Sequence, residues 1–280
     1  MRFKLGVGRV VVSLALITAT AQTASVTRAA VQAAPTALSV RRYLPRIFNN
    51  RQCPTTSSQT YDVIPIEGGY YKDNRLTDEN ADFRLSTLGF VPSGAALSLV
   101  DYGGATDANA PKLNGIFEPN RTPAILATYQ HRGWNWADTG SNIAPPYGTP
   151  GPVVTTWPAH VIDLAVTPGE VLQIPERGIA IWSGNLVALV LYAGERELTI
   201  AYARNDSVGG YVVHLLNFCV DANLLSAYRS QLANGHRATG QLPALRVGQR
   251  IGTALEPWLT VAVRDGGAFM DPRSRKDWWP

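Results

Sequence analysis

The chain has 280 residues, with 25 Lys and Arg, 21 Asp and Glu, 25 Gly and 19 Pro, enough for a sizeable hydrophobic core in one large or two small domains. Eight of the basic residues lie in residues 1–52, where there is no Asp or Glu, so residues 53–280 carry 17 basic and 21 acidic groups. A mildly acidic body argues against a nucleic-acid surface, and the Gly, Pro, Tyr and Trp content suits a β-rich protein with many turns.

In chain order, residues 1–21 read as a secretory signal. Arg2, Lys4 and Arg9 precede a short apolar run that closes on Ala19-Thr20-Ala21, a small-x-small cleavage pattern. The run is too short to span a bilayer, and no later segment is long and apolar enough, so no transmembrane segment is expected after cleavage. Residues 22–60 read as a basic tether rich in Ala, Thr and Ser, with Arg28, Arg41, Arg42, Arg46 and Arg51. It is a soluble spacer or a segment that rests on anionic wall polymer or lipid. The expected address is secreted or cell-envelope associated. Cys53 and Cys219 are the two cysteines, and an even pair in an exported chain points to a disulfide.

Residues 61–157 form an N-terminal β-rich region. VIPI, TLGFV, ALSLVDYGG and AILATYQH are short apolar runs between turn residues, read as strands. Residues 133–158 read as a long irregular loop holding Trp134, Trp136 and Trp157. Further on, HVIDLAV, EVLQIP, GIAIWSG, LVALVLYAG, ELTIAYAR, GYVVHLLNF and LTVAV are strand candidates. One helix is expected over residues 222–233, with Asp221 as N-cap and Gly235 as stop. The tail RSRKDWWP, 273–280, packs back on the domain or meets a partner. The expected class is all-β, with one or two short helices and a sandwich- or barrel-like core.

The stretch HVIDLAVTPGEVLQIPERGIAIWSG holds Asp163, Gly169, Pro175 and Gly178. Later come Gly248, Gln249, Ile251 and Gly252, then Pro257, Leu259, Val263, Arg264, Gly267 and Asp271-Pro272. In this order and spacing, residues 158–272 resemble the lysostaphin-like zinc peptidoglycan endopeptidases, whose fold is the duplicated hybrid motif. That resemblance implies a zinc held by two His and an Asp, with another His beside the metal-bound water. His160 and Asp163 fall near the first motif, but H-V-I-D is one residue shorter than the family's H-x-G-x-D. The closing His-x-His pair falls on Trp258 and Thr260. Neither an indole nor a Thr hydroxyl suits zinc at neutral pH. The expectation is a peptidase-like domain without catalytic residues and without a cofactor. Zinc is the alternative, with His160 and Asp163 as its first candidates and His131 or His214 as relocated ligands.

Residues two apart on a strand share a face, so the family's groove face here carries Trp258, Thr260, Ala262 and Arg264. With His160, Asp163, Trp134 and Trp136 these are the groove candidates, where aromatic faces would stack on peptidoglycan or another envelope polymer, or on a protein partner. His131 and His214 read first as structural histidines. Asp101, Asp107, Glu118 and Asp138 read as loop acids, and Ser207 and Ser230 lack a nucleophile-elbow context. An active endopeptidase with relocated ligands and an unrelated secreted β-barrel are the other readings.

Overall fold

A computed structural model describes residues 52–67, 75–137 and 145–279. The signal segment, the tether up to residue 51 and Asp138 lie outside the described residues. Strand β1 (Asp62–Pro65) is followed by a single-turn helix α1 (Leu85–Leu88), then β2 (Phe90–Pro92), β3 (Ile125–Trp136) and β4 (Gly148–Val153). Next come β5 (Val161–Ala165), β6 (Val171–Gln173), β7 (Leu186–Ala193), β8 (Glu197–Ala201), β9 (Val212–Leu216) and β10 (Phe218–Val220). The last part holds α2 (Ala222–Arg229), β11 (Leu232–Ala233), β12 (His236–Arg237), β13 (Gln241–Arg246), β14 (Arg250–Ala254), β15 (Trp258–Asp265), β16 (Ala268–Phe269) and α3 (Arg275–Trp278).

The fold is all-β with large antiparallel sheets. The main sheet runs β1-β13-β7-β8-β9-β15-β5-β3-β2, with β16 on β15 and β4 on β3. A smaller sheet runs β10-β14-β6. The middle strands β7, β8 and β9 are buried at every residue. That accounts for the unbroken apolar run of β7, since a strand covered on both faces has no face left for alternation. Glu197 and Thr199 of β8 and His214 of β9 are buried polar exceptions. Strands β2 and β3 of the N-terminal region continue the sheet that β5 and β15 begin, and residues 49–280 form one compact unit.

Several elements differ from the sequence reading. Helix α2 begins where expected, with the Asp221 carboxylate accepting from the N–H groups of Asn223 and Leu224. It ends at Arg229, because Asn234 and Gly235 take left-handed φ of 50° and 79° and turn a β11–β12 hairpin. Asn-Gly is a strong two-residue hairpin signal. The run TLGFV is shared between α1 and β2, GIAIWSG carries only a bridge at Trp182, and ALSLVDYGG carries only one at Val100. Residues 133–153 are partly a β3–β4 ribbon. Strand β13 was not expected, because Pro243 interrupts its apolar run and proline demotes a strand. The described residues hold three short α-helices, against the one or two expected.

Cys53 and Cys219 are joined, with 5.2 Å between their Cα atoms. The C-terminal tail packs back. Trp278 and Trp279 are buried, and their indole N–H groups donate to the carbonyls of Asp271 and Pro272 at 2.9 and 2.8 Å.

Candidate functional site

Three neighbouring strands assemble the polar site that the frame singles out. Thr260 on β15 lies opposite Asp163 on β5 and opposite Leu216 on β9. Opposed residues of an antiparallel pair share a face, so Thr260 and Asp163 meet side chain to side chain. The Thr260 hydroxyl donates to Asp163 Oδ1 at 2.5 Å. The Tyr129 hydroxyl, from β3, donates to Asp163 Oδ2 at 2.7 Å. Asn217 Nδ2 donates to the Thr260 oxygen at 2.7 Å. Asn217 sits at φ 69° between β9 and β10, a left-handed position that Asn tolerates better than most residues.

This arrangement is chemically specific. A cation needs lone pairs directed at one point. Here both carboxylate oxygens already accept a hydroxyl proton, and the hydroxyl oxygen of Thr260 accepts from an amide. Thr260 and Asp163 are 1% and 8% exposed, so water has little access to compete. Among the described residues, no group of three His, Cys, Asp or Glu is placed to hold a metal ion.

A histidine cluster lies beside this network on the same side of the sheet. His160, just ahead of β5, turns its ring toward His131 of β3, with centroids 4.5 Å apart. Its Nε2 is 2.8 Å from the Thr156 hydroxyl. His214 of β9 shares a hydrogen bond between Nδ1 and the Thr199 hydroxyl at 2.9 Å. Phe269 of β16 packs on His131 at 4.1 Å and on His214 at 5.7 Å between ring centroids. The Arg264 guanidinium lies 4.8 Å over the same phenyl ring. Among the described residues, His131 Nδ1, His160 Nδ1 and His214 Nε2 are buried without a hydrogen-bond partner.

Burial is the largest cause of the shifts in this cluster. It depresses His131 to about 3, with help from His160 and Arg264. It lowers His160, against a smaller opposing pull from Asp271. It holds His214 well below the usual imidazole range, with Arg264 and His131 adding to the effect. All three are neutral at pH 7.

The face expected to be an open groove is covered. Residues 77–90 lie across it. The Thr199 hydroxyl donates to the Phe83 carbonyl, and Tyr192 donates to Asp78 at 2.7 Å. Glu197 accepts from the Ser86 N–H at 3.0 Å, the Ser86 hydroxyl at 2.5 Å and Arg84 Nε at 3.2 Å. Arg264 pairs with Asp82 at 3.2 Å. Beneath, Leu85 and Leu88 join Val161, Leu216, Ala262 and Phe269 in a second apolar cluster.

The open-groove expectation fails for four of its candidates. His160, Asp163, Thr260 and Arg264 are buried and do not line an open cleft. Their neighbours supply apolar residues and hydrogen-bond partners that a sequence cannot display. Trp134 and Trp136 form an edge-to-face pair at 6.0 Å against the second apolar cluster, with Arg75 over Trp136 at 4.1 Å. Trp258 is partly buried at the start of β15. Trp157 stands apart, edge-on to Tyr102 at 5.2 Å, beside a cavity of about 150 Å³ under the C-terminal tail. A cavity of about 570 Å³ lies next to the disulfide, lined by Cys53, Arg196, Leu225 and Arg229 among others.

Sequence reasoning missed Tyr129, Asn217, Phe269 and the Ser86–Glu197 contact. Tyr129 stands two residues before His131, and that same-face spacing was its available signal. Asn217 ends a strand candidate with nothing to mark it. No family model, no curated protein and no solved structure matches the chain.

Proposed function

We propose that this protein is an exported, non-catalytic domain built on a peptidase-like frame, which holds a cell-envelope polymer of the peptidoglycan type. One observation carries the non-catalytic part. Asp163 and Thr260, which fall on two expected zinc-ligand positions, are opposed in register and bonded to each other, with Tyr129 and Asn217 closing the network. The relocated zinc set has less support, because His160 sits with His131 and Asp163 is engaged by hydroxyl donors.

Further support comes from the glycines on which the resemblance rests. Gly169, Gly248 and Gly267 take φ of 91°, 70° and 84°, where side chains are strained. A Cβ on Gly252 would sit 2.0 Å from the Cys219 carbonyl oxygen. Four of the frame's five glycines are thus where backbone geometry requires them, and Gly178 is not so constrained. The disulfide fits an oxidising compartment, and among the described residues no helix is long and apolar enough to cross a membrane. Trp258, partly exposed beside the Asp163 network, and the Trp134–Trp136 pair are the surfaces for sugar rings or peptide.

The test is a metal assay with a sedimentation assay on purified peptidoglycan, using the disulfide-bonded protein. The expected result is substoichiometric zinc and binding that falls at least tenfold in Trp258→Ala. Stoichiometric zinc that disappears in Asp163→Ala, or cleavage of cross-linked peptidoglycan, would overturn the reading. Wild-type protein left in the supernatant would remove the envelope polymer as its ligand.

A further inference from the structure

Of the four histidines in the chain, three come together around one phenyl ring although they are brought there by different parts of the sheet. His131 and His214 flank Phe269, and His160 abuts His131. Each has a buried ring nitrogen without a partner among the described residues. We propose that His131, His160 and His214 form an acid-sensitive latch, whose protonation frees Phe269 and the 77–90 cover from the sheet face while the main ladder stays formed. This inference stands apart from the polymer-binding reading and does not need it.

The charges around the cluster set the direction. Arg264 of β15 lies over Phe269. Protonation therefore adds imidazolium beside an existing guanidinium. The carboxylates nearby are already engaged. Asp82 of the cover pairs with Arg264, Asp78 accepts from Tyr192 of β7, and Glu197 of β8 holds Arg84 and Ser86. Asp271, beyond β16, holds Arg273 and Tyr102, and Asp163 of β5 accepts from the Thr260 and Tyr129 hydroxyls. On the cover's other flank, Arg237 of β12 lies over Phe83, and His236 precedes it in that strand. None of these carboxylates accepts a hydrogen bond from a ring nitrogen of the three histidines, whose unpaired nitrogens are buried, and burying a charge without a bonded partner is costly.

The elements that would yield are the short ones. Helix α1 has four residues and β16 has two, and a single helical turn has no stability of its own. Strands β5, β9 and β15 are tied into one ladder whose opposite face belongs to the main core. The sign follows from linkage. The closed form binds protons more weakly than the open form, because its three rings are buried and each has an unpaired nitrogen, whereas exposed histidines titrate near the ordinary imidazole value of about 6.5. Above that pH the histidines impose no penalty, and below it the open form gains with each proton.

The experiment is hydrogen–deuterium exchange of the disulfide-bonded protein at pH 7.5 and 5.0, corrected for intrinsic rates. At pH 5.0 the carboxylates remain largely ionised. The opening equilibrium of peptides spanning 77–90 and 266–270 should rise about 30-fold for each histidine that gains a proton. Peptides from β7 and β8 should keep their protection. In the double variant His131→Phe/His214→Gln the rise should shrink by about 10³-fold. Equal corrected exchange at both pH values, or an undiminished rise in the variant, would overturn the latch. Should the variant not fold, imidazole carbon resonances of the wild type decide. Titration of all three rings near 6.5 with 77–90 still protected sinks the proposal, and rings that stay neutral until 77–90 opens support it.

Discussion

Thr260 makes its case through its hydroxyl, since a side chain of the same shape without one would fit the same space. Thr260→Val keeps the volume and removes two hydrogen bonds. It leaves Asp163 Oδ1 without its hydroxyl donor and Asn217 Nδ2 without its acceptor, in a place where Thr260 is 1% exposed. A lost hydrogen bond to a charged group is worth about 1.5–3 kcal/mol, and an orphaned buried donor adds to that. The expected loss is about 2–4 kcal/mol, read as a lower urea midpoint at unchanged m-value. Thr260→Ser keeps the hydroxyl and should lose clearly less. If Val and Ser behave alike, the network is packing alone. At this scale the sequence was informative about Asp163 and Thr260, because strand spacing and frame order single both out, while their opposition comes from the pairing of β15 with β5. It was silent on the histidine cluster. His131, His160 and His214 are brought together by tertiary pairing, and no local period links them.

Elements were legible where one physical signal acted alone. The fully buried β7 and the Asp221 cap of α2 are examples. They were misread where two signals competed. Residues 230–233 continue the helical apolar spacing of α2, yet the Asn234-Gly235 turn draws Leu232 and Ala233 into a hairpin. Pro243 hid β13, and the glycines and prolines of residues 133–153 hid the β3–β4 ribbon. Strands β10 and β14 offer a test of how tightly a frame glycine is bound to its element. Val220 pairs with Gly252, and a Cβ there would meet the Cys219 carbonyl oxygen at 2.0 Å and its carbon at 3.0 Å. Those are backbone atoms of the disulfide-bearing strand and have little room to retreat. Gly252→Ala should therefore destabilise by more than about 3 kcal/mol, beyond the usual range of point substitutions. Gly169→Ala, which meets nothing within 4 Å and suffers only from its φ of 91°, should lose about 1 kcal/mol. Thermal melting of the pair separates steric clash from backbone strain, and equal losses would show that Gly252 is not confined as described.

At the scale of the whole molecule, the disulfide ties Cys53, near the start of the described residues, to strand β10. Cys53 and Cys219 are 166 residues apart in sequence, so the bond closes a loop around most of the sheet. Other contacts hold the same entry segment. Ser57 donates to Asp221 at 2.6 Å, Asn223 donates to the Gln59 carbonyl at 2.7 Å, and Tyr61 donates to the Arg250 carbonyl at 2.9 Å. Burial and the neighbouring Asp221 push the Tyr61 phenol far above its ordinary range, so this hydroxyl stays a donor across the working pH range. Because these contacts tie the segment to α2 and β14 without the sulfur bridge, reduction should weaken the fold without dissolving it. Closure of a long loop stabilises by about 2–4 kcal/mol through the unfolded chain. Cys53→Ser/Cys219→Ser should lower unfolding stability by about that amount, with near-native circular dichroism at 25 °C and an increased m-value as the unfolded chain expands. The change at the native level should be confined to faster exchange in residues 52–60, next to the 570 Å³ cavity that Cys53 lines. An unfolded double variant would mean that the bridge, rather than the apolar ladder from β1 to β2, holds this sheet together. A double variant as stable as the wild type would mean that the hydrogen bonds of the entry segment already restrain the chain there.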